Sequence, residues 1–245
     1  MNLLISKKLP KVFIFDVGGT IFDVININFD NAIIYLYNNV IDNTKVTLDE
    51  FKASMQDIHH AFRDRELNSF ELSYEYLFNY VTFIYGNPKS VKKEEIENDF
   101  SHAFYQGNPI PNVLDFLEYL KNKGVKLYVL SNSILTTPQI RREVEEYGAL
   151  KYFIDVVSTG DYIFRKPSED IFKLYIKKLK LEGFKESDLC YIGNSFRFDI
   201  VTPTRLGMNT IHFAVDEDED IYNVVYLKIN SYNHLISLFK ENFGD

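Results

Sequence analysis

Helix and strand patterns alternate along the second half of the chain, and this alternation restricts the possible folds more than any other feature. From Pro111 onward, segments with helical spacing of apolar residues are followed by short apolar segments rich in β-branched residues. The predicted strands of this half are VKLYVLS, FIDVVST, LCYIGN and TIHFAV. Such alternation is typical of a parallel sheet with helices on both faces. The sequence therefore predicts an α/β fold.

One more predicted strand, KVFIFDV (11–17), lies far from that half of the chain. Its continuous apolar run suits a strand that is buried on both faces of a parallel sheet. Residues from about 25 to 105 show helical spacing instead. We therefore predict a discontinuous α/β core, residues 1–24 and 106–245, interrupted by an all-helical insert over residues 25–105.

The insert contains start and stop signals for several helices. Thr47 and Glu50 have the spacing of a capping box at the start of one helix. A second helix is predicted from a possible Asn68 cap to Gly86, and a third from Ser90 to Gly107. Both predicted ends follow from the preference for glycine just past a helix.

Charge and composition argue against several classes of partner. The chain has 35 acidic and 27 basic residues, and its net charge of -8 repels polyanions such as nucleic acid. No apolar stretch approaches the roughly 20 residues that span a bilayer, and the amino terminus carries no export signal. The single cysteine, Cys190, cannot form an internal disulfide and suits a reducing compartment. We expect a cytoplasmic protein without nucleic-acid or membrane partners.

Polar residues occur where the predicted strands end, which is the edge where α/β sheets bind ligands. They are Asp16, Ser131 with Asn132, Lys166 and its neighbours, and Asn194 with Ser195 and Asp199. Taken singly, each is a common turn or surface residue. Their occurrence together at successive strand ends predicts a site at this edge.

The segments that carry these residues resemble the four motifs of the haloacid dehalogenase superfamily, most of whose members are phosphatases. The motifs, in the same chain order, are FDVGGTIFD, VLSNS, RKPSEDIF and YIGNSFRFD. The insert is similar in position and size to the helical cap of that family. The resemblance covers nearly the whole chain. It implies a Rossmann-like core, an all-α cap domain and hydrolysis of a small phosphorylated metabolite.

The resemblance assigns roles that the residue chemistry supports. Asp16 would attack phosphorus and form an aspartyl phosphate. Ser131 and the amides around Asn132 would hold the phosphoryl oxygens, and Lys166 would stabilise the charge that develops on them. Gly19 and Thr20, in the turn after Asp16, complete the predicted substrate-binding loop.

The resemblance also implies a magnesium ion. It would lie between Asp16, the backbone carbonyl of Gly18 and the side chain of Asn194, with Asp199 as a direct or supporting ligand. Magnesium prefers such oxygen ligands in near-octahedral geometry.

Two positions depart from the family pattern, and each lacks a carboxylate. Gly18 stands where most phosphatases of the family have an aspartate that protonates the leaving oxygen; losing such a group costs about 10²–10⁴ in rate. Hydrolysis of alkyl phosphates should therefore be slow, unless a good leaving group, a water, the substrate or an insert residue replaces that proton. Asn194 replaces a charged metal ligand with a neutral amide, which should weaken magnesium binding.

These departures leave alternatives open. A metal-independent 2-haloacid dehalogenase also attacks with its aspartate, but this chain lacks the tyrosine that those enzymes have at residue 18. A weakly active member that only binds a phosphorylated ligand is the other alternative, although a nucleophile opposite Lys166 has little use in a pure binder. In the insert, His59 and Arg63 are four residues apart on a predicted helix. Arg63 is a candidate second contact for the substrate, although most such pairs face solvent. No sequence pattern identifies the substrate or sets the oligomeric state.

Overall fold

The structure, a computed structural model, describes residues 8–55, 58, 60, 69–214 and 224–245. The predicted substrate contact Arg63 and its neighbour His59 lie outside the described residues.

A parallel sheet forms the centre of the core, as the alternating pattern predicted. The strands of the described chain are β1 (Val12–Phe15), β2 (Phe22–Ile25), β3 (Gln106–Pro109), β4 (Lys126–Ser131), β5 (Asp155–Ser158), β6 (Leu189–Gly193), β7 (Asn209–Phe213) and β8 (Leu227–Ile229). Six of them form one sheet in the order β5-β4-β1-β6-β7-β8, and every pair in it is parallel. This is the predicted Rossmann-like arrangement.

Strand β1 lies between β4 and β6, and its side chains are 0–2% exposed. Phe13 and Phe15 pack into one buried cluster, whereas Val12 and Ile14 pack into another on the opposite face. Phe15 is in register with Val129 of β4 and Ile192 of β6. Residues that follow these three strands therefore emerge side by side at one edge of the sheet.

Helices cover the sheet and build the insert. They are α1 (Phe29–Asn39), α2 (Leu48–Ser54), α3 (Tyr74–Tyr85), α4 (Lys93–Phe104), α5 (Val113–Asn122), α6 (Thr137–Glu146), α7 (Glu169–Leu181), α8 (Val201–Arg205) and α9 (Tyr232–Phe243). Among the described residues, every helix is too short or too polar to cross a bilayer.

Some predicted helix ends are confirmed and others are wrong. The capping box of Thr47 and Glu50 is present, and Gly86 ends α3 with a positive φ of 76°. Helix α3 is capped by Ser73, because the chain before it bonds to the core through Glu71 N to Ile163 O (2.9 Å). The predicted cap, Asn68, lies outside the described residues. Helix α4 ends at Phe104, well before Gly107.

Gly107 belongs instead to a two-stranded antiparallel ribbon, which the sequence patterns did not predict. Strand β2 pairs with β3 at the two boundaries of the insert, with Phe22 opposite Pro109 and Ile25 opposite Gln106. A Cβ atom at Gly107 would lie 2.6 Å from the carbonyl oxygen of Asp23. The glycine therefore allows close strand pairing and does not serve as a helix stop.

The insert contacts the core through buried carboxylates, which we call the insert–core contact. Glu97 of α4 accepts hydrogen bonds from the backbone nitrogen (2.6 Å) and hydroxyl (2.8 Å) of Thr136, the cap residue of α6. Glu143 of α6 accepts from Ser101 (2.5 Å) and Tyr105. Burial raises the pKa of both carboxyl groups above their ordinary value.

A buried ion pair completes the insert–core contact. Glu71 Oε2 lies 3.4 Å from Arg165 Nε, and the two side chains are 0% and 4% exposed. Glu71 also accepts a hydrogen bond from Thr159 Oγ1 (2.6 Å). Arg165 stacks over the ring of Phe198 at 5.4 Å. Thus Arg165 points away from the strand-end carboxylates, as adjacent residues usually do, and it joins the insert to the core.

Candidate active site

A buried lysine lies between two carboxylates at the carboxyl edge of the sheet. Lys166 Nζ donates to Asp16 Oδ1 at 2.7 Å and to Asp199 Oδ1 at 2.5 Å. The lysine is 1% exposed, and Asp16 and Asp199 are 7% and 1% exposed. We call these three residues the lysine cluster. Three strand-end segments that are far apart in sequence thus meet at one point, as predicted.

Each member of the lysine cluster is held by the local chain. Asp16 directly follows β1, and its backbone nitrogen donates to Ile192 O of β6 at 2.9 Å. The amide of Asn132 bonds both the backbone nitrogen and the carbonyl of Lys166, each at 2.9 Å. The side chain of Asn132, a predicted substrate contact, therefore aligns the lysine segment.

Both oxygens of the Asp199 carboxylate accept hydrogen bonds from the protein. Its second oxygen accepts from the backbone nitrogen of Ser195 at 3.0 Å. A Cβ atom at Gly193 would lie 2.3 Å from Asp199 Cγ, so only glycine lets the carboxylate lie against this strand end. These bonds fix the orientation of the carboxylate, and the role of Asp199 as a direct or supporting metal ligand stays a prediction.

Tyr191 was not predicted as part of the site. Lys166 Nζ donates to its hydroxyl at 2.8 Å, and that hydroxyl donates to Leu130 O of β4 at 2.8 Å. The tyrosine is fully buried and lies two residues before Gly193, hence on the same face of β6. The sequence feature that could have indicated this role is a polar aromatic residue close to the end of a predicted strand.

The lysine cluster carries an excess of negative charge. Burial raises the pKa of Asp16 from 3.8 to about 6; Lys166 opposes this rise, and Asp199 adds to it. Burial lowers the pKa of Lys166, but the two carboxylates outweigh burial and hold it above its ordinary value. At neutral pH, the cluster therefore contains an ionised Asp16 beside a charged lysine.

The turn after Asp16 brings Asn194 to the site. Gly19 has a φ of 72°, and a Cβ atom there would lie 2.3 Å from Asn194 Nδ2, so the amide packs directly on the turn. Thr20 is fully buried, and its carbonyl accepts a hydrogen bond from Tyr232 at 2.8 Å. Gly18 faces Val24, whose Cγ2 would lie 3.1 Å from a Cβ atom at residue 18.

A cavity of about 220 Å³ adjoins this edge, and we call it the apolar cavity. It lies among the turn after β1, the segment after β4 and the start and end of the insert. Its described lining is Val17, Gly18, Phe22, Val24, Ile27, Phe104, Tyr105, Ser131, Asn132, Ser133, Ile134 and Ile140. Ser131, the predicted phosphate contact, thus sits where the cavity meets the strand ends.

The donors available for a metal are few. Among residues 8–55, 58, 60, 69–214 and 224–245, no group of three or more His, Cys, Asp or Glu side chains is arranged to hold an ion. Asp16 and the carbonyl of Gly18 belong to the segment after β1, and the exposed Asn194 amide packs on Gly19 of that segment. These oxygens fit a hard divalent cation, but they supply a single negative charge.

Curated relatives match part of the chain. A glyceraldehyde 3-phosphate phosphatase of Methanocaldococcus jannaschii is 28% identical over 134 residues, which are 54% of this chain and 57% of the relative. A glyceraldehyde 3-phosphate phosphatase of Methanothermobacter thermautotrophicus is 34% identical over 103 residues, which are 42% of this chain and 43% of the relative. The chain therefore matches about half the length of these two relatives.

Solved structures match almost the whole chain. A HAD phosphatase from Thermococcus onnurineus has a TM-score of 0.61 at 23% identity and covers 96% of this chain and 99% of its own. A 2-haloacid dehalogenase from Pseudomonas syringae has a TM-score of 0.63 at 18% identity and covers 95% and 99%. These likenesses show the fold. The family model of the haloacid dehalogenase-like hydrolases matches residues 10–207, and the chain belongs to that hydrolase family.

Proposed function

We propose that the protein is a phosphatase that hydrolyses a small phosphorylated metabolite through an aspartyl phosphate on Asp16. The observation that carries the proposal is the 2.7 Å contact between Asp16 and the buried Lys166 ammonium, beside Ser131 at the carboxyl edge of the sheet. Two curated relatives named as phosphatases support the reaction class.

The proposed roles follow from charge and position. Asp16, ionised at neutral pH because its pKa is about 6, attacks phosphorus. Lys166 keeps its charge close to the attacked group and offsets the negative charge of the transition state. Ser131 and the amides after it hold the phosphoryl oxygens. Because residue 18 has no side chain, protonation of the leaving group must come from another source or be unnecessary.

A divalent cation such as magnesium fits the remaining oxygens. Asp16, the carbonyl of Gly18 and the amide oxygen of Asn194 would hold it, with Asp199 as a direct or supporting ligand. When bound, the ion would neutralise charge on Asp16 and on the phosphoryl oxygens. Because Asn194 is neutral, we expect weaker retention than at a site with two carboxylates.

The direct test is phosphate release from p-nitrophenyl phosphate with magnesium and with EDTA. Asp16→Asn should abolish release because the amide is not a nucleophile toward phosphorus. The matched control is Asp23→Asn, since Asp23 is an exposed aspartate of the same segment. Release that survives in Asp16→Asn would contradict the proposal, as would equal loss in the control. Loss of release in EDTA would support the cation.

A metal-independent 2-haloacid dehalogenase is the second candidate. The observation that favours it is the absence of carboxylates at residues 18 and 194 together with an apolar cavity beside Asp16. Chloride release from 2-chloropropionate that is insensitive to EDTA, without phosphate release, would replace the phosphatase assignment. Turnover of neither compound would favour a weakly active member that only binds its ligand.

A further inference from the structure

We infer that the apolar cavity binds the leaving group of the substrate, and that this leaving group is an aromatic hydroxyl compound. The preferred substrate class would then be an aryl phosphate and not a polar sugar or triose phosphate. This inference rests on the proposed function, because it names the substrate of the same site.

The composition of the cavity wall carries the first step. Among the described residues that line the cavity, none has a charged side chain, and Phe22, Phe104 and Tyr105 contribute aromatic rings. Ligand pockets of this kind obtain affinity by removing apolar surface from water. A flat apolar group therefore fits the wall better than a polyhydroxylated chain does.

The polar groups of the wall are engaged with the protein. The Asn132 amide bonds the backbone of Lys166, and the Tyr105 hydroxyl bonds Glu143. The Ser133 hydroxyl accepts from Leu135 N at 3.1 Å. A hydroxyl or aldehyde placed in the cavity would thus exchange water for groups that already bond the protein, which yields less binding energy than burial of apolar surface. Ser131 remains at the phosphate end.

The size of the cavity agrees with one ring. Its volume of about 220 Å³ exceeds the roughly 150 Å³ that accommodates benzene in an apolar protein cavity. The space is also continuous with Gly18 and Ser131, so a ring there would be joined directly to a phosphate at the strand ends.

The missing proton donor points to the same class. A Cβ atom at residue 18 would lie 3.1 Å from Val24 Cγ2, so residue 18 faces an apolar side chain where the family pattern has an acid. An alkoxide leaving group needs a proton, whereas a phenolate is much less basic and departs without one. The substitution of Gly18 for an acid therefore penalises alkyl esters by about 10²–10⁴ and spares aryl esters.

The test compares kcat and KM for phenyl phosphate, cyclohexylmethyl phosphate and glyceraldehyde 3-phosphate. We expect phenyl phosphate to have a kcat at least about 10²-fold above both alkyl esters, because neither receives a proton. We expect both ring compounds to have a lower KM than the triose phosphate. Higher kcat/KM for glyceraldehyde 3-phosphate would overturn the inference and leave the phosphatase proposal intact. No release from any ester would overturn both.

A pair of variants tests the cavity itself. Ile27 lines the cavity and is 66% exposed, so Ile27→Asp places a charge at the cavity without removing a core side chain. It should raise KM for phenyl phosphate by about tenfold or more, and raise KM for glyceraldehyde 3-phosphate by less, because the two substrates share only the charge repulsion on the phosphate. Ile154→Asp is the control, since Ile154 is 56% exposed and precedes β5 at the opposite edge of the sheet. An unchanged KM in Ile27→Asp would overturn the cavity as the binding site.

A second pair tests the missing acid. Gly18→Asp combined with Val24→Ala provides a carboxyl group and the space for it, with Val24→Ala alone as the control. The double variant should raise kcat for cyclohexylmethyl phosphate far more than for phenyl phosphate. Equal gains for the two esters would overturn the argument from leaving-group basicity.

Discussion

Two regions of the molecule bury carboxylates, and the partners of these carboxylates differ between the two regions. In the lysine cluster, Asp16 and Asp199 share one ammonium group. In the insert–core contact, Glu97 and Glu143 receive hydrogen bonds from neutral donors only among the described residues. The first arrangement keeps a charged nucleophile available, whereas in the second the carboxyl groups have pKa values raised by burial and join two layers of structure through hydrogen bonds.

The difference shows that a buried carboxyl group can serve either as a nucleophile or as a structural hydrogen-bond partner, depending on its neighbours. Without a cation in contact, burial raises the pKa of Glu97 and Glu143, whose oxygens accept the hydrogen bonds that link the insert to the core. With Lys166 in contact, the same burial leaves Asp16 with a pKa of about 6, low enough for ionisation at neutral pH. The insert–core contact places its one described cation, Arg165, on Glu71 instead.

The largest expected effect comes from removing the shared cation. Lys166→Met should reduce kcat for p-nitrophenyl phosphate by about 10²–10³. It should also lower the free energy of unfolding by about 3–5 kcal/mol, because two carboxylates stay buried without a partner. Lys173→Met is the control: Lys173 pairs with Glu169 on the exposed face of α7. Enzyme assays and urea unfolding measure both quantities, and near-normal stability in Lys166→Met would contradict the assigned charge states.

The ion pair of the insert–core contact should give a smaller effect, confined to stability. Glu71→Gln leaves Arg165 buried without its counter-charge, which should cost about 3 kcal/mol in urea unfolding. The glutamine can still accept from Thr159, so the loss should lie at the low end of that range. The expected kcat is close to that of the unaltered protein. A fall in kcat as large as in Lys166→Met would contradict the conclusion that the insert–core contact serves stability and not catalysis.

The smallest effect is a change in pH dependence. Because the pKa of Glu143 is raised on folding, its contribution to stability is complete below its unfolded pKa, near 4.5, and is lost as pH rises through the folded value. Glu143→Gln has no such loss, so its stability relative to the unaltered protein should increase with pH. Glu145→Gln, at an exposed position of α6, should show no such trend. Urea unfolding between pH 4 and 8 measures the trend, and a constant difference for Glu143→Gln would contradict it.

Much of the core was predictable from local patterns. The apolar run before Asp16 predicted a buried strand, and helix alternating with strand predicted the parallel sheet. Because the strand ends of one parallel sheet share an edge, Asp16 and Lys166 were expected near each other. Asp16 Oδ1 and Lys166 Nζ lie 2.7 Å apart. The magnesium site and the domain boundaries remain predictions.

Other features depend on contacts between distant segments, which no local pattern encodes. No sequence pattern predicted strand β2, because its partner β3 lies about eighty residues later. The Ser73 cap follows from a backbone bond between Glu71 and Ile163. Tyr191 and Arg165 gain their roles only from the side chains that meet them across the fold.

The ribbon of β2 and β3 has a consequence for the architecture. Ile25 and Gln106 are paired residues of antiparallel strands, so the two ends of the insert are separated by only about 5 Å. In topology, the entire insert is the loop of one hairpin. Hairpin loops of two to five residues are common, so a loop of that length could connect β2 to β3 in place of the insert. The fold can therefore accept inserts of very different lengths here while the strand order of the core stays the same.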